Sequence, residues 1–122
     1  MNAVLNPYTN YLIQIILKNR LEDNYDINEL VDIIVDNSLL ISSLKFSSNI
    51  INSILDEGSN EDKEKIINNV LNPEKLSLSK KNKYIVEVIK KCCSIINQER
   101  LSKFLIDCKE FPTLSYVDSI LN

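Results

Sequence analysis

The sequence predicts an all-α chain: an α-solenoid of about three helical repeats, closed by a C-terminal capping half-repeat. Three observations predict it. Apolar residues recur at helical spacing along nearly the whole chain. The breaks between these stripes fall at Pro, Gly and Asn positions of the kind that open or end helices. A short polar–apolar string returns at residues 10, 48 and 83, at separations of 38 and 35 positions. One Gly and three Pro in 122 residues leave little room for a turn-rich β architecture, and no period-two alternation persists.

The elements follow in order. Asn6-Pro7 opens the first helix, with Pro where a missing N–H costs nothing, and Tyr11, Leu12, Ile15 and Ile16 form its stripe. Asn24-Tyr25-Asp26 separates it from Ile27, Leu30, Val31, Ile34 and Val35, with Asp26 the expected N-cap. Ile50, Ile51, Ile54 and Leu55 make the third stripe. Gly58-Ser59-Asn60 ends it, with Gly58 expected at the C′ position that favours left-handed backbone. Ile66, Ile67, Val70 and Leu71 form the fourth, stopped at Asn72-Pro73. Ile85, Val86, Ile89, Cys92 and Cys93 form the fifth; Leu101, Phe104, Leu105 and Cys108 form the sixth, ended by Phe111-Pro112. The tail from Thr113 to Leu121 reads as a half-unit over the open end. The expected organisation is one domain with units at 1–36, 37–72 and 73–109 and a cap at 110–122, a fragment or shortened form of a longer array. Each unit is a lead-in, a helix bearing the recurring string and a packing helix, and no unit buries its apolar face alone.

Composition narrows the function. The formal net charge is −3, so any nucleic-acid contact has to come from a local basic face rather than a global excess. Lys45, Lys80, Lys81, Lys83, Lys90 and Lys91 are candidates for such a stripe, and the acidic run from Glu57 to Glu64 is expected to face solvent away from it. There is no His, no Gly-rich phosphate loop and no recognisable carboxylate pair, so an enzyme is not expected, nor a cofactor. Cys92, Cys93 and Cys108 lack metal-ligand spacing and are expected to be reduced thiols in helix cores, in a reducing compartment. No apolar stretch approaches the roughly 18 residues of a membrane span, and the start lacks signal-peptide features, so a cytoplasmic protein is the expectation.

The recurring strings carry a resemblance. Asn6-Pro7-Tyr8-Thr9-Asn10-Tyr11-Leu12-Ile13-Gln14 and Lys45-Phe46-Ser47-Ser48-Asn49-Ile50-Ile51-Asn52 resemble the repeat helix of the PUF (Pumilio-type) RNA-binding family, and Lys83-Tyr84-Ile85-Val86-Glu87 joins them by spacing. The resemblance covers essentially the whole chain and is to the C-terminal repeats and cap of such a domain. It implies sequence-selective binding of single-stranded RNA, U-rich or UGU-like, in mRNA 3′ untranslated regions, with post-transcriptional control of translation or decay. It implies no DNA and no membrane as partner.

In that family each repeat reads one base with two or three side chains. Residues four apart share a helix face and jointly contact a base edge, while the residue after the first stacks between bases. Carried over, Asn10 and Gln14 match a uracil-type pair and Tyr11 its stacking position. Ser48 and Asn49 match a guanine-type repeat, with Asn52 where the family has Glu. Tyr84 keeps the stacking position, while Lys83 and Glu87 replace Asn and Gln; they either pair with each other or leave Lys83 to reach a phosphate. The departures at Asn52, Lys83 and Glu87, with the negative net charge, support an alternative: a degenerate helical-repeat module that docks on protein partners in a larger assembly such as a ribonucleoprotein.

Overall fold

The computed structural model describes residues 25–45 and 47–121, with side chains from Val31 onward. The described chain is all-α, with no strand among the described residues. Its helices are α1 (Tyr25–Asp36), α2 (Ser38–Ser42), α3 (Ser48–Glu57), α4 (Asn60–Val70), α5 (Pro73–Ser77), α6 (Lys83–Ile95), α7 (Gln98–Cys108) and α8 (Tyr116–Ile120), with a 3₁₀ turn at Pro112–Leu114. The lead-ins expected between stripes are thus short helices in their own right. Ser38 and Pro73 open two of them 35 positions apart, and Ser48 and Lys83 open α3 and α6 at the same separation.

Packing sorts the long helices into two rows. α3 lies against α6, and α1 lies against α4, with α4 also contacting α3 and α6. The short α2 sits among α1, α3, α4 and α6, and α5 touches α4, α7 and the 3₁₀ turn. The apolar stripes meet between the rows: Ile50, Ile51 and Ile54 of α3, Ile66 and Val70 of α4, and Ile85, Val88, Ile89 and Cys92 of α6 are fully buried there. Phe104 and Cys108 of α7, Leu114 and Val117 extend the same core to the C-terminal end. Burial of a side chain of this size stabilises by roughly 1.5–3 kcal/mol, so the stripes rather than helix propensity hold these short helices.

Polar side chains set the helix ends. Ser59, Asn72, Asn82 and Asn97 each precede a helix and accept a hydrogen bond from a first-turn N–H, at Asp62, Lys75, Tyr84 with Ile85, and Arg100 respectively. Two expectations about ends are corrected. α1 already includes Tyr25 and Asp26, so Asp26 stands inside the helix rather than capping it. Gly58 follows α3 with φ −74° and ψ 176°, extended rather than left-handed. Its glycine is required by close approach instead, since a Cβ there would lie 2.6 Å from the Ile54 carbonyl oxygen.

Candidate functional site

Asn10, Tyr11 and Gln14 lie outside the described residues. The other two triplets stand on the first two turns of α3 and α6, the neighbouring helices of one row. Their third positions come together: Asn52 and Glu87 line one shallow depression of about 400 Å³, completed by Lys90, Lys91 and Ser94 of α6. The Asn52 Oδ1 atom is buried and receives no hydrogen bond from the protein. Leaving such a carbonyl unsatisfied costs about 1–3 kcal/mol.

Each remaining residue has a distinct state. Ser48 is only 5% exposed, and its hydroxyl donates to the Lys45 carbonyl at 3.4 Å. Its hydroxyl therefore faces the preceding turn and offers little to a base edge as it stands. Asn49 is exposed, and its backbone carbonyl accepts from Ser53 Oγ. Tyr84 is half-buried, with Lys83 Nζ over its ring at 5.2 Å from the centroid. The anticipated Lys83–Glu87 pair does not form: Glu87 meets Lys90 at 3.6 Å, one position nearer on the helix. Lys83 is drawn to the ring of its own neighbour instead, as a cation is to an aromatic face. Lys91 reaches across to α3 and pairs with Asp56 at 2.6 Å. The depression therefore combines an amide, a hydroxyl, ammonium groups and a carboxylate, a set that exchanges hydrogen bonds with a polar ring edge.

Asn82, absent from the predicted site, positions it. Its Oδ1 accepts from the backbone N–H groups of Tyr84 and Ile85, and its Nδ2 donates to the Ser43 carbonyl at 2.8 Å. One side chain thus starts α6 and ties that start to the turn after α2. An Asn just before an apolar stripe is the sequence signal that points to it. In the other row Arg100 of α7 holds Glu64 at 2.6 Å and Asn68 at 2.7 Å on α4. The acidic run there is mostly exposed, but Asp62 is buried.

Nothing in this region resembles a nucleophile–base arrangement. Cys92, Cys93 and Cys108 are buried and free of disulfides, and burial pushes their thiols up from 9.0 to about 12, 11 and 11. They remain protonated and are weak nucleophiles near neutral pH. No cluster of three metal-ligating side chains occurs among the described residues, and none of the described helices is long and apolar enough to cross a membrane. No family model matches the chain, and neither does any curated protein or solved structure.

Proposed function

We propose that this chain is a PUF-type α-solenoid segment that binds single-stranded RNA along the α3–α6 row, as a post-transcriptional regulator of mRNA. One observation carries the reading: equivalent positions of two strings 35 residues apart, Asn52 and Glu87, line the same depression on adjacent helices. Tyr84 is the stacking residue, Asn49 takes the equivalent place on α3, and Asn52 and Glu87 meet base edges. Lys83 leaves the Tyr84 ring to meet a phosphate when a base arrives. The test is fluorescence polarisation with a UGU-containing oligonucleotide and a scrambled control at two salt concentrations. Selective binding that weakens with salt, and that Tyr84→Ala reduces, supports the reading; equal affinity for the two sequences removes sequence selectivity from it.

A second reading is favoured by a specific observation. The charges of the α3–α6 face are largely matched internally, Lys91 to Asp56 and Lys90 to Glu87. Such a surface suits a protein partner better than a phosphate backbone. On this reading the chain is a degenerate helical repeat docking on a larger assembly. A partner retained after nuclease treatment and lost on changes to exposed residues of this face favours it.

A further inference from the structure

The stretch Lys80-Lys81-Asn82-Lys83 leads into α6, with its three lysines exposed. Asn82 is extended, with φ −153° and ψ 173°. Lys81 and Lys83 flank it. Each lies over a tyrosine ring: Lys83 over Tyr84, and Lys81 over Tyr116, with Nζ 4.7 Å from the centroid. Tyr116 is far away in sequence and arrives by folding. The 3₁₀ turn packs on α5, Thr113 Oγ1 donates to the Ser77 carbonyl at 3.4 Å, and α8 then opens at Tyr116. The ring is half-buried and packed on the core, which makes it a fixed platform, whereas Lys81 is exposed.

We propose that Tyr116 and Lys81 form an additional nucleotide subsite, extending the single-stranded RNA track from α6 onto the C-terminal cap. The inference rests on the RNA-binding reading of the α3–α6 row and adds a position to it. A base has a π-face that stacks on an aromatic ring whatever its sequence, and the adjoining phosphate needs a cation within reach. Tyr116 supplies the ring and Lys81 the cation. Lys81 gives up only an exposed ring contact when it turns to the phosphate, and the base takes its place. Lys83 and Tyr84 repeat the same pairing two positions further on, and the proposed track runs from one pair to the other. The subsite stacks and neutralises without reading an edge, so it favours length over sequence.

The experiment compares a short UGU-containing oligonucleotide with versions lengthened by one nucleotide at the 5′ end or at the 3′ end, titrated into the full chain. One of the two extensions is expected to tighten binding by about tenfold, the size of a single base–aromatic stack. The gain disappears in Tyr116→Leu and shrinks in Lys81→Gln, while neither change alters affinity for the unextended oligonucleotide. Because Lys81 is exposed, Lys81→Gln keeps the test intact if Tyr116→Leu fails to fold. Binding of the short oligonucleotide with no gain from either extension, or a gain that survives both substitutions, overturns the subsite alone. No binding to any of the three overturns the RNA reading and this inference with it.

Discussion

Asn82→Ala isolates what holds the start of α6 in place. The side chain accepts from two first-turn N–H groups and donates to the Ser43 carbonyl across 39 positions of sequence. Losing an N-cap costs about 1 kcal/mol. Losing a part-buried side-chain bond to a carbonyl costs about another 1 kcal/mol. The expected total is about 2 kcal/mol, roughly a thirtyfold change in the folded-to-unfolded ratio. Asn97 is the internal control. It caps α7 through Arg100 N alone at an exposed position, so Asn97→Ala should cost about 1 kcal/mol. Asn82→Asp keeps the acceptor and loses the donor, and should fall between wild type and Asn82→Ala. Urea unfolding followed by circular dichroism measures all three. If Asn82→Ala costs no more than Asn97→Ala, the bond to Ser43 contributes nothing and the proposed tie is wrong.

Three further outcomes follow from the packing and the titratable groups. Ile54→Ala removes a fully buried side chain from α3, and calorimetry or urea unfolding should register a loss of about 2–5 kcal/mol. The raised thiol pKa values make stability fall at high pH. The unfolded chain gives up these protons from about pH 9, whereas the folded chain holds them to about 11–12. Melting temperature should thus be level near neutral pH and decline above pH 9, with Cys92→Ala flattening part of that decline. Arg100→Ala breaks half-exposed contacts to Glu64 and Asn68, and should cost no more than about 1 kcal/mol, with a double-mutant cycle against Glu64→Ala measuring the pair itself.

Across the described residues the helical periodicity was legible because it is a property of local spacing. The stripes at 50–55, 66–70 and 85–93 became largely buried helix faces, while Leu71 stands just past α4 and Val86 is half-buried. The short helices α2 and α5 were not legible, since five residues carry too little pattern to register. The caps at Asn72, Asn82 and Asn97 each stand just before a helix, but in a chain this rich in Asn that signal is diluted by the many that cap nothing. Gly58 shows a different failure. Its composition signal was correct, but the physical cause is contact with Ile54 rather than backbone handedness. At the candidate site, the i, i+4 rule left Lys83 either paired with Glu87 or reaching a phosphate. Geometry chose between several partners within reach: the Tyr84 ring for Lys83, and Lys90 for Glu87. Tyr116 was beyond sequence reasoning because only the fold of the last turn brings it to Lys81.

The pairing pattern around α6 also separates the two functional readings quantitatively. Lys90 and Lys91 are engaged by Glu87 and Asp56, at 3.6 Å and 2.6 Å. A phosphate that recruits either one leaves a carboxylate behind, so the net electrostatic gain is small. Lys80, Lys81 and Lys83 precede these pairs, and the latter two rest on tyrosine rings. A ring contact leaves the positive charge in place for a phosphate to use. Binding to a single strand changes with salt by about −0.7 in log K per log unit for each phosphate neutralised, so three lysines give a slope of about −2. If all five lysines were available, the slope would approach about −3.5. With the lengthened oligonucleotide that reaches the Lys81 subsite, a slope near −2 that drops by about 0.7 in Lys81→Gln and stays put in Lys90→Gln assigns phosphate contact to the approach to α6. A slope near zero, with affinity unchanged by any of these substitutions, would place the interaction outside electrostatic control and leave the protein-docking reading as the one that fits the paired surface.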